Sequence, residues 1–267
     1  MSELVANGET ALRLGAFLGV LVAMMVWEVL APRRTRSATR GVRWTANLGI
    51  AVLNAAMLRV LFPIAAAGTA VWADSRGVGL LNVVSMPVPV AVLLAVLVLD
   101  LAIYAQHVVF HKVPLLWRLH RMHHADVDFD TTTGVRFHPF EIALSMLYKM
   151  AVVVAIGAPA IAVIVFEVIL NATAMFNHGN VRLPSAVDRA LRLLIVTPDM
   201  HRVHHSIHRD ETDSNFGFNL SVWDRLFTTY RAQPRDGHEG MTIGLPVFRD
   251  PADRRLDRLL VQPFLGR

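Results

Sequence analysis

Long apolar stretches constrain the fold of this 267-residue chain more than any other feature of its sequence. Apolar residues make up 54% of it, and the mean hydropathy is +0.44. The stretches cover residues 11–30, about 46–72, about 80–111 and 140–177. Crossing the hydrocarbon core of a bilayer takes about 20 apolar residues in a helix. The chain is therefore predicted to be an all-α integral membrane protein.

The last stretch, 140–177, is too long for one crossing. As a single helix it would extend roughly 55 Å, against a hydrocarbon core of about 30 Å. Gly157-Ala158-Pro159 near its middle is a helix-breaking sequence. We expect a helical hairpin that either spans the membrane twice or is re-entrant. The predicted fold is about four transmembrane helices plus this hairpin or re-entrant pair, capped by a cytoplasmic histidine-rich helical metal domain.

A basic loop between the first two stretches predicts the orientation. It contains Arg33, Arg34, Arg36, Arg40 and Arg43. Loops rich in arginine stay on the cytoplasmic side, which places the N-terminus outside and the end of the third stretch inside. The net charge of +5 then suits anionic lipid, and nucleic acid is not an expected partner. We expect a multi-pass protein of a bacterial-type inner membrane with its histidine-rich face in the cytoplasm.

The chain contains no cysteine and twelve histidines. The absence of cysteine excludes disulfides, thiolate zinc sites, iron–sulfur clusters and thiolate-ligated haem. Imidazole is then the main nitrogen ligand that the chain can offer to iron, zinc, copper or nickel.

Eight of the histidines form three motifs with helical spacing. They are His107 and His111; His120, His123 and His124; and His201, His204 and His205. Positions i, i+3 and i+4 share one face of a helix, so each motif can direct its imidazoles towards one point. Solvated histidines at a lipid interface are the alternative interpretation. The repetition of the five-residue motif favours a metal site.

An acidic residue lies on the same helical face as the first motif. Asp100, Tyr104, His107 and His111 follow one another at spacings of four, three and four. An ionisable group inside an apolar stretch is costly and often functional. We predict that Asp100, with Tyr104, supports the site by holding the outer nitrogen of a histidine ligand. A structural hydrogen bond between helices is the alternative.

The remaining histidines have less distinctive surroundings. His178 lies where the predicted hairpin returns to the histidine face, and we expect it to be a ligand. His138 and His208 are further candidates. His238 lies in a polar stretch and is expected at the surface.

The ordered motifs resemble the fatty acid hydroxylase superfamily, which includes sterol desaturases, C-4 sterol methyl oxidases and carotenoid hydroxylases. The resemblance covers roughly residues 95–232. Its motifs are Asp100 with His107-x-x-x-His111, His120-x-x-His123-His124, Arg136-Phe-His138-Pro139, Asn177–Pro184, His201-x-x-His204-His205, Glu211–Gly217 and Trp223–Tyr230. It implies transmembrane helices at 1–94, a catalytic domain at 95–232 and a C-terminal tail at 233–267.

The resemblance also implies a function. Members use a non-haem di-iron centre, O2 and two electrons to hydroxylate or desaturate a lipid, here of sterol, hopanoid, fatty acyl or carotenoid type. Ten histidines can hold the irons in the family, so His138 or His208 would complete a set of eight motif histidines and His178. We expect two Fe ions, a lipid substrate and a separate electron donor, such as a ferredoxin, cytochrome or reductase.

Three other functions are compatible with clustered histidines. A zinc-dependent membrane hydrolase would need a general base such as the glutamate of H-E-x-x-H, and the sequence contains no such motif. A bis-histidine haem carrier would need opposed histidines within the bilayer. A non-catalytic metal-binding membrane protein is the third alternative.

The C-terminal tail contains one amphipathic segment, 254–264. Leu256, Leu259, Leu260 and Phe264 share one face, opposite three arginines. This pattern predicts a helix resting on the inner leaflet, or alternatively a helix packed on the metal domain.

We predict that the N-terminus faces outwards and the C-terminus faces the cytoplasm, because the basic loop at 33–43 is retained inside. A reporter that is active only in the cytoplasm should be active when fused after Arg267. The complementary reporter, active only outside, is the control. Activity of that second fusion would contradict the predicted orientation.

Overall fold

The computed structural model describes residues 3–266, and all its regular elements are helical. The α-helices are α1 Glu3–Leu30, α2 Arg40–Leu61, α3 Ala65–Ser75, α4 Leu80–Val83, α5 Val88–Lys112, α6 Pro114–His124, α7 Pro139–Ile156, α8 Ala160–Asn177, α9 Ser185–Leu191, α10 Pro198–His204, α11 Arg209–Thr212, α12 Val222–Leu226, α13 Gly237–Gly240 and α14 Leu256–Val261. Short 3-10 helices cover Thr131–Val135, Pro251–Arg254 and Gln262–Phe264. Within the described residues, β-structure is limited to three isolated bridges.

Five stretches of the described chain are long and apolar enough to cross a membrane. They are Gly8–Leu30, Arg40–Val83, Val88–Lys112, Pro139–Ile156 and Ala160–Asn177. These stretches agree with the predicted all-helical integral membrane protein.

Prolines divide two of the predicted apolar stretches into shorter helices. The second stretch is not one helix, because α2 ends at Leu61 and α3 begins at Ala65 on either side of Pro63. A residue before proline is disfavoured in the helical conformation, and Phe62 accordingly has φ −129° and ψ 67°. Similarly, Pro87 separates α4 from α5 instead of kinking one helix.

The predicted hairpin is formed by α7 and α8, each of 18 residues. Gly157 ends α7 in the left-handed conformation with φ 65°, which glycine adopts without steric cost. The turn packs against the loop after α3 so closely that a Cβ on Gly79 would lie 2.2 Å from the Gly157 nitrogen. The turn of the hairpin therefore lies at the same level as that loop. An 18-residue helix is about 27 Å long, so the turn lies about that far from the open end of the hairpin, next to His138 and His178. This length favours a hairpin in which both helices cross the membrane.

The membrane helices pack around a core of small and aliphatic residues. Ala66 and Ala70 of α3, Leu99 of α5, and Val163 and Phe166 of α8 are all buried in it. Small side chains allow the backbones of membrane helices to approach closely. Helix α1 packs along α8 on the outside of this core.

The amphipathic C-terminal segment packs mainly on protein. Leu259 is fully buried against Ala46 and Ile50 of α2 and Met122 of α6, with Leu256 and Leu260 beside it. Only Phe264 on the predicted face remains strongly exposed, at 59%. The expected free apolar face is thus largely covered, because α2 and α6 offer it a complementary apolar surface.

Buried charges join the membrane helices to the parts of the chain outside the five membrane-spanning stretches. We call these parts the polar half of the molecule. Arg43 of α2 is completely buried and donates to Asp126 and Asp130, with N–O distances of 2.7 Å to each. Burial alone would raise the pKa of Asp126, but the Arg43 and Arg136 guanidiniums hold it below its usual range. In α1, Glu28 Oε1 accepts hydrogen bonds of 2.7 Å from the backbone N–H groups of Thr131 and Asn180. Arg43, at the end of the basic loop, therefore contributes to folding instead of facing lipid.

We predict that Arg43→Ala destabilises the protein by about 3–5 kcal/mol, because it removes the buried guanidinium that pairs with two buried carboxylates. Arg40→Ala is the matched control, because Arg40 is a half-buried arginine in the same helix. Its guanidinium lies over the Trp44 ring, 4.9 Å from the ring centroid. Thermal unfolding in detergent compares the two variants. Equal unfolding temperatures would contradict the structural importance of the Arg43 ion pairs.

Candidate metal centre

Nine buried histidines converge in two adjacent groups. The first group contains His107, His111, His120, His124 and His204, and the second contains His123, His178, His201 and His205. Within each group the ligand nitrogen atoms lie within 4.8 Å of one another. The structure therefore brings together all eight motif histidines and His178.

The two five-residue motifs are interleaved between the groups. In α6, His120 and His124 face the first group, while His123 between them faces the second. In α10 the assignment is reversed: His201 and the following His205 face the second group, and His204 faces the first. Successive helical positions i+3 and i+4 point about 100° apart. Each five-residue motif therefore serves two neighbouring points instead of the single point expected from its spacing.

The inner nitrogen atoms of these rings face one another. His107 Nε2 lies 3.1 Å from the Nε2 atoms of both His120 and His204. In the second group, His178 Nε2 lies 3.2 Å from His123 Nε2 and 3.1 Å from His201 Nε2. Each group is thus a compact set of imidazole nitrogens around a common centre.

Several outer ring nitrogens are held by backbone carbonyls. His107 Nδ1 lies 2.7 Å from the Phe216 oxygen, and His204 Nδ1 lies 2.6 Å from the Ser214 oxygen. His178 Nδ1 lies 2.7 Å from the oxygen of Ala174. A carbonyl can only accept, so Nδ1 must carry the proton in these rings. The lone pair is then on Nε2, directed towards the centre of the group.

Carboxylates hold two further histidines in the same way. Glu141 Oε1 lies 2.6 Å from His120 Nδ1, and Asp213 Oδ1 lies 3.3 Å from His111 Nδ1. Sequence reasoning did not single out either acid for this role. Glu141 could have been found by the argument applied to Asp100, because it is an ionisable residue at the start of an apolar helix. Asp213 could only be assigned from the fold, since 102 residues separate it from His111.

Burial favours the neutral form of six of the converging histidines outside the membrane helices. Loss of solvent lowers the pKa of His204 to about 3 and that of His178 to about 4. The pKa values of His123, His124, His201 and His205 are also lowered, first by burial and then by neighbouring histidines. Neutral imidazole is the form that binds a metal, so the surroundings favour the ligand state.

The arrangement fits two transition-metal ions. Nitrogen ligands at roughly 2.0–2.1 Å from a metal are at most about 4.2 Å apart, so small adjustments would suffice in each group. His205 has both ring nitrogens buried without a hydrogen-bond partner, which is costly unless something binds there. The donor set consists of imidazole nitrogens, which suits iron, zinc, copper or nickel.

Asp100 and Tyr104 do not contact the histidine rings through hydrogen bonds, which corrects the predicted role. Asp100 accepts a hydrogen bond of 2.8 Å from Trp223 Nε1 and one of 3.3 Å from the backbone N–H of Leu220. The Tyr104 hydroxyl lies 2.8 Å from the Thr229 hydroxyl. Through these hydrogen bonds both residues attach the 220–229 segment to α5.

His138 and His208 lie outside both groups. His138 begins α7, where its Nδ1 accepts from the backbone N–H of Phe140 at 3.2 Å and its Nε2 lies 3.2 Å from the Leu260 oxygen. His208 Nε2 lies 2.9 Å from Asp236 at the surface. The geometry thus leaves a set of nine and gives neither histidine the place of a tenth ligand.

The expectation that His238 lies at the surface is wrong. The residue is only 6% exposed, because the loop around α13 folds over α10. Its Nε2 lies 3.7 Å from Asp199, and burial lowers its pKa to about 4. It contacts neither histidine group, so substitution should affect packing more than metal binding.

Comparisons with known proteins identify the region that contains the site. A family profile described as fatty acid hydroxylase matches residues 92–229, which is more than half of the chain. All nine converging histidines lie within this range. No solved structure was found to match the chain.

Curated relatives match a little over half of the chain at low identity. Ornithine lipid hydroxylase OlsE of Rhizobium tropici is 28% identical over 149 residues, covering 56% of this chain and 44% of that protein. Alkylglycerol monooxygenase of Homo sapiens is 26% identical over 159 residues, covering 58% and 34% respectively. Cholesterol 25-hydroxylase of Rattus norvegicus is 24% identical over 146 residues, covering 54% and 47%. The match therefore covers less than half the length of each of these relatives.

We predict that Glu141→Gln and Asp100→Asn have different effects. Glutamine is a weaker acceptor for His120 Nδ1, and changes to such partners typically cost about 10–100-fold in metal affinity or activity. Asp100→Asn touches no histidine, so it should keep normal metal affinity and lower thermal stability instead. Metal titration against a competing chelator and thermal unfolding measure the two effects. A lower metal affinity in Asp100→Asn alone would contradict the assignment.

Proposed function

Because this chain belongs to the fatty acid hydroxylase family, we propose that it is a membrane-bound, O2-dependent lipid hydroxylase that holds two iron ions. The observation that carries the proposal is the convergence of nine buried histidines in two interleaved groups. Each five-residue motif contributes histidines to both groups, so the two metal ions would lie next to each other. The relatives are named as hydroxylases and monooxygenases, which favours hydroxylation over desaturation.

Two iron ions bound by these groups would supply O2 activation for oxidation of an unactivated C–H bond. The overall reaction takes one C–H bond, O2, two electrons and two protons to an alcohol and water. We propose that the two electrons come from a separate donor, such as a ferredoxin, cytochrome or reductase.

The protein's own contribution is to hold the ligands and exclude water. The outer hydrogen bonds of His107, His178 and His204 direct their Nε2 lone pairs inwards before any metal arrives. All nine histidines are at most 4% exposed. A closed site of this kind protects reactive chemistry from bulk solvent.

We propose that the lipid approaches along the phenylalanines between the histidines and the membrane helices. The Phe218 ring lies 5.0 Å from that of His107 and 6.1 Å from that of His201, so it faces both groups. Its backbone oxygen accepts a hydrogen bond of 2.9 Å from Asn177 at the end of α8. A hydrocarbon entering from the bilayer at this level would meet Phe218 next to the metal centre.

The substrate class is an amphiphilic lipid. The relatives are named for an ornithine lipid, an alkylglycerol and cholesterol, which share a large hydrocarbon part attached to a polar group. Hydroxylation of such a molecule requires the hydrocarbon to reach the metal while the polar group stays at the membrane surface.

The central histidines provide the decisive test. Anaerobically reconstituted protein should hold about two irons per chain without haem, and His123→Ala or His204→Ala should abolish most activity because each removes a ligand. His208→Ala is the control, since this histidine lies outside both groups. Iron content and lipid mass spectrometry of cells with and without each variant give the readouts.

Specific outcomes would contradict the proposal. Full activity of His123→Ala or His204→Ala at normal expression and iron content would refute the di-iron assignment. Stoichiometric zinc with no iron-dependent turnover would favour a hydrolase, and iron binding without O2 consumption would favour a non-catalytic metal-binding protein.

A further inference from the structure

Four large apolar side chains are exposed on the polar half of the molecule, outside the membrane-spanning helices. Leu193, Leu194 and Leu226 are 62%, 67% and 64% exposed, and Phe227 is 49% exposed. We call these four residues the 193–227 patch. Single exposed leucines are ordinary, but neighbouring ones indicate an interaction surface.

The two halves of the patch belong to one surface because their segments are joined. Ile195 and Leu220 form an antiparallel bridge. The Ser221 N–H donates to the Leu194 oxygen at 3.0 Å, and the Arg225 guanidinium donates to the Arg192 oxygen at 2.9 Å. The leucine pair at 193–194 therefore lies next to the segment that continues to Leu226 and Phe227.

Contacts with the membrane helices fix the depth of this surface. The Phe218 oxygen accepts from Asn177 at the last residue of α8, and the Asn219 side chain accepts from the Thr173 hydroxyl one turn earlier. On α5, Trp223 donates to Asp100, and Phe227 stacks on Tyr104 with ring centroids 5.4 Å apart. The 218–227 segment is thus level with the last turn of α8, where a membrane-spanning helix leaves the hydrocarbon core.

Basic side chains accompany the apolar ones. Arg225, which precedes Leu226, is exposed, and so is Arg189 in the helix that precedes Leu193. The Arg225 guanidinium lies over the Tyr230 ring, 3.9 Å from its centroid. Apolar side chains flanked by arginines are typical of segments at the boundary between acyl chains and anionic headgroups.

We propose that the 193–227 patch is inserted into the lipid leaflet on the histidine side of the membrane. The patch would contact phospholipid at the level where the headgroups meet the acyl chains. The depth argument favours lipid over a second copy of the chain, because the segment that carries Leu226 and Phe227 is attached directly to the membrane-spanning helices α5 and α8. The polar half of the molecule would then be anchored to the membrane at a second place, separate from its helices. This inference does not depend on the proposed activity.

The absence of cysteine from the chain allows a direct test with single thiols. Leu194→Cys and Leu226→Cys place one label in each half of the patch. Leu94→Cys on α5 is the membrane control, and Thr242→Cys at an exposed polar-half position is the aqueous control. Each full-length variant is labelled with an environment-sensitive fluorophore and reconstituted into phosphatidylcholine–phosphatidylglycerol vesicles.

Two quenchers distinguish the surroundings of the label. Lipids brominated near the headgroup end of the acyl chain should quench labels at 194 and 226 severalfold more than the label at 242. Iodide on both sides of the membrane should quench the label at 242 severalfold more than those at 194 and 226. Iodide quenching of the patch equal to that at 242 would overturn the proposal. Protection from both quenchers would also overturn it, because the patch would then be covered by protein.

Discussion

The hydrogen bond from the outer nitrogen of a histidine ring to a fixed acceptor is the interaction on which the candidate metal centre depends. A neutral imidazole has one donor and one acceptor nitrogen, so occupying Nδ1–H leaves the Nε2 lone pair facing inwards. The acceptors for His107, His178 and His204 are backbone oxygens, and that for His120 is Glu141. The centre is therefore preorganised by the path of the backbone around it.

That backbone is positioned by buried polar contacts with the membrane helices. Arg43 of α2 binds Asp126 and Asp130, which follow the second histidine motif. Arg136 donates to the Met122 oxygen, while its own oxygen lies 3.2 Å from His123 Nδ1. In α1, Glu28 holds the backbone at Thr131 and Asn180. The transmembrane helices and the histidine groups thus form one connected structure, in which the anchors of the membrane part also determine where the ligands lie.

Local rules succeeded where a feature depends on neighbouring residues. Gly157 and Pro159 predicted the turn of the hairpin. The spacing of the histidine motifs predicted that their rings converge, but it did not predict that each five-residue motif divides between two groups. The same rules failed where distant segments compete for a surface. Leu259 has the pattern of a lipid-facing residue but packs on α2, and Asp100 binds Trp223, which is 123 residues away. Sequence periodicity shows that a face is apolar, yet it does not show whether lipid or protein will cover it.

By itself, the sequence determined that this chain forms long apolar helices and that imidazole is the main nitrogen donor that it can offer to a metal, because both follow from composition and short-range spacing. Only the tertiary structure decided how the motifs combine, so that His204 joins His107 and His123 joins His178. It likewise decided that Glu141 and Asp213 contact histidines of the first group while Asp100 contacts none. These outcomes depend on which segments meet in space, and pairings across 21 to 123 residues leave no trace in the local pattern of one sequence.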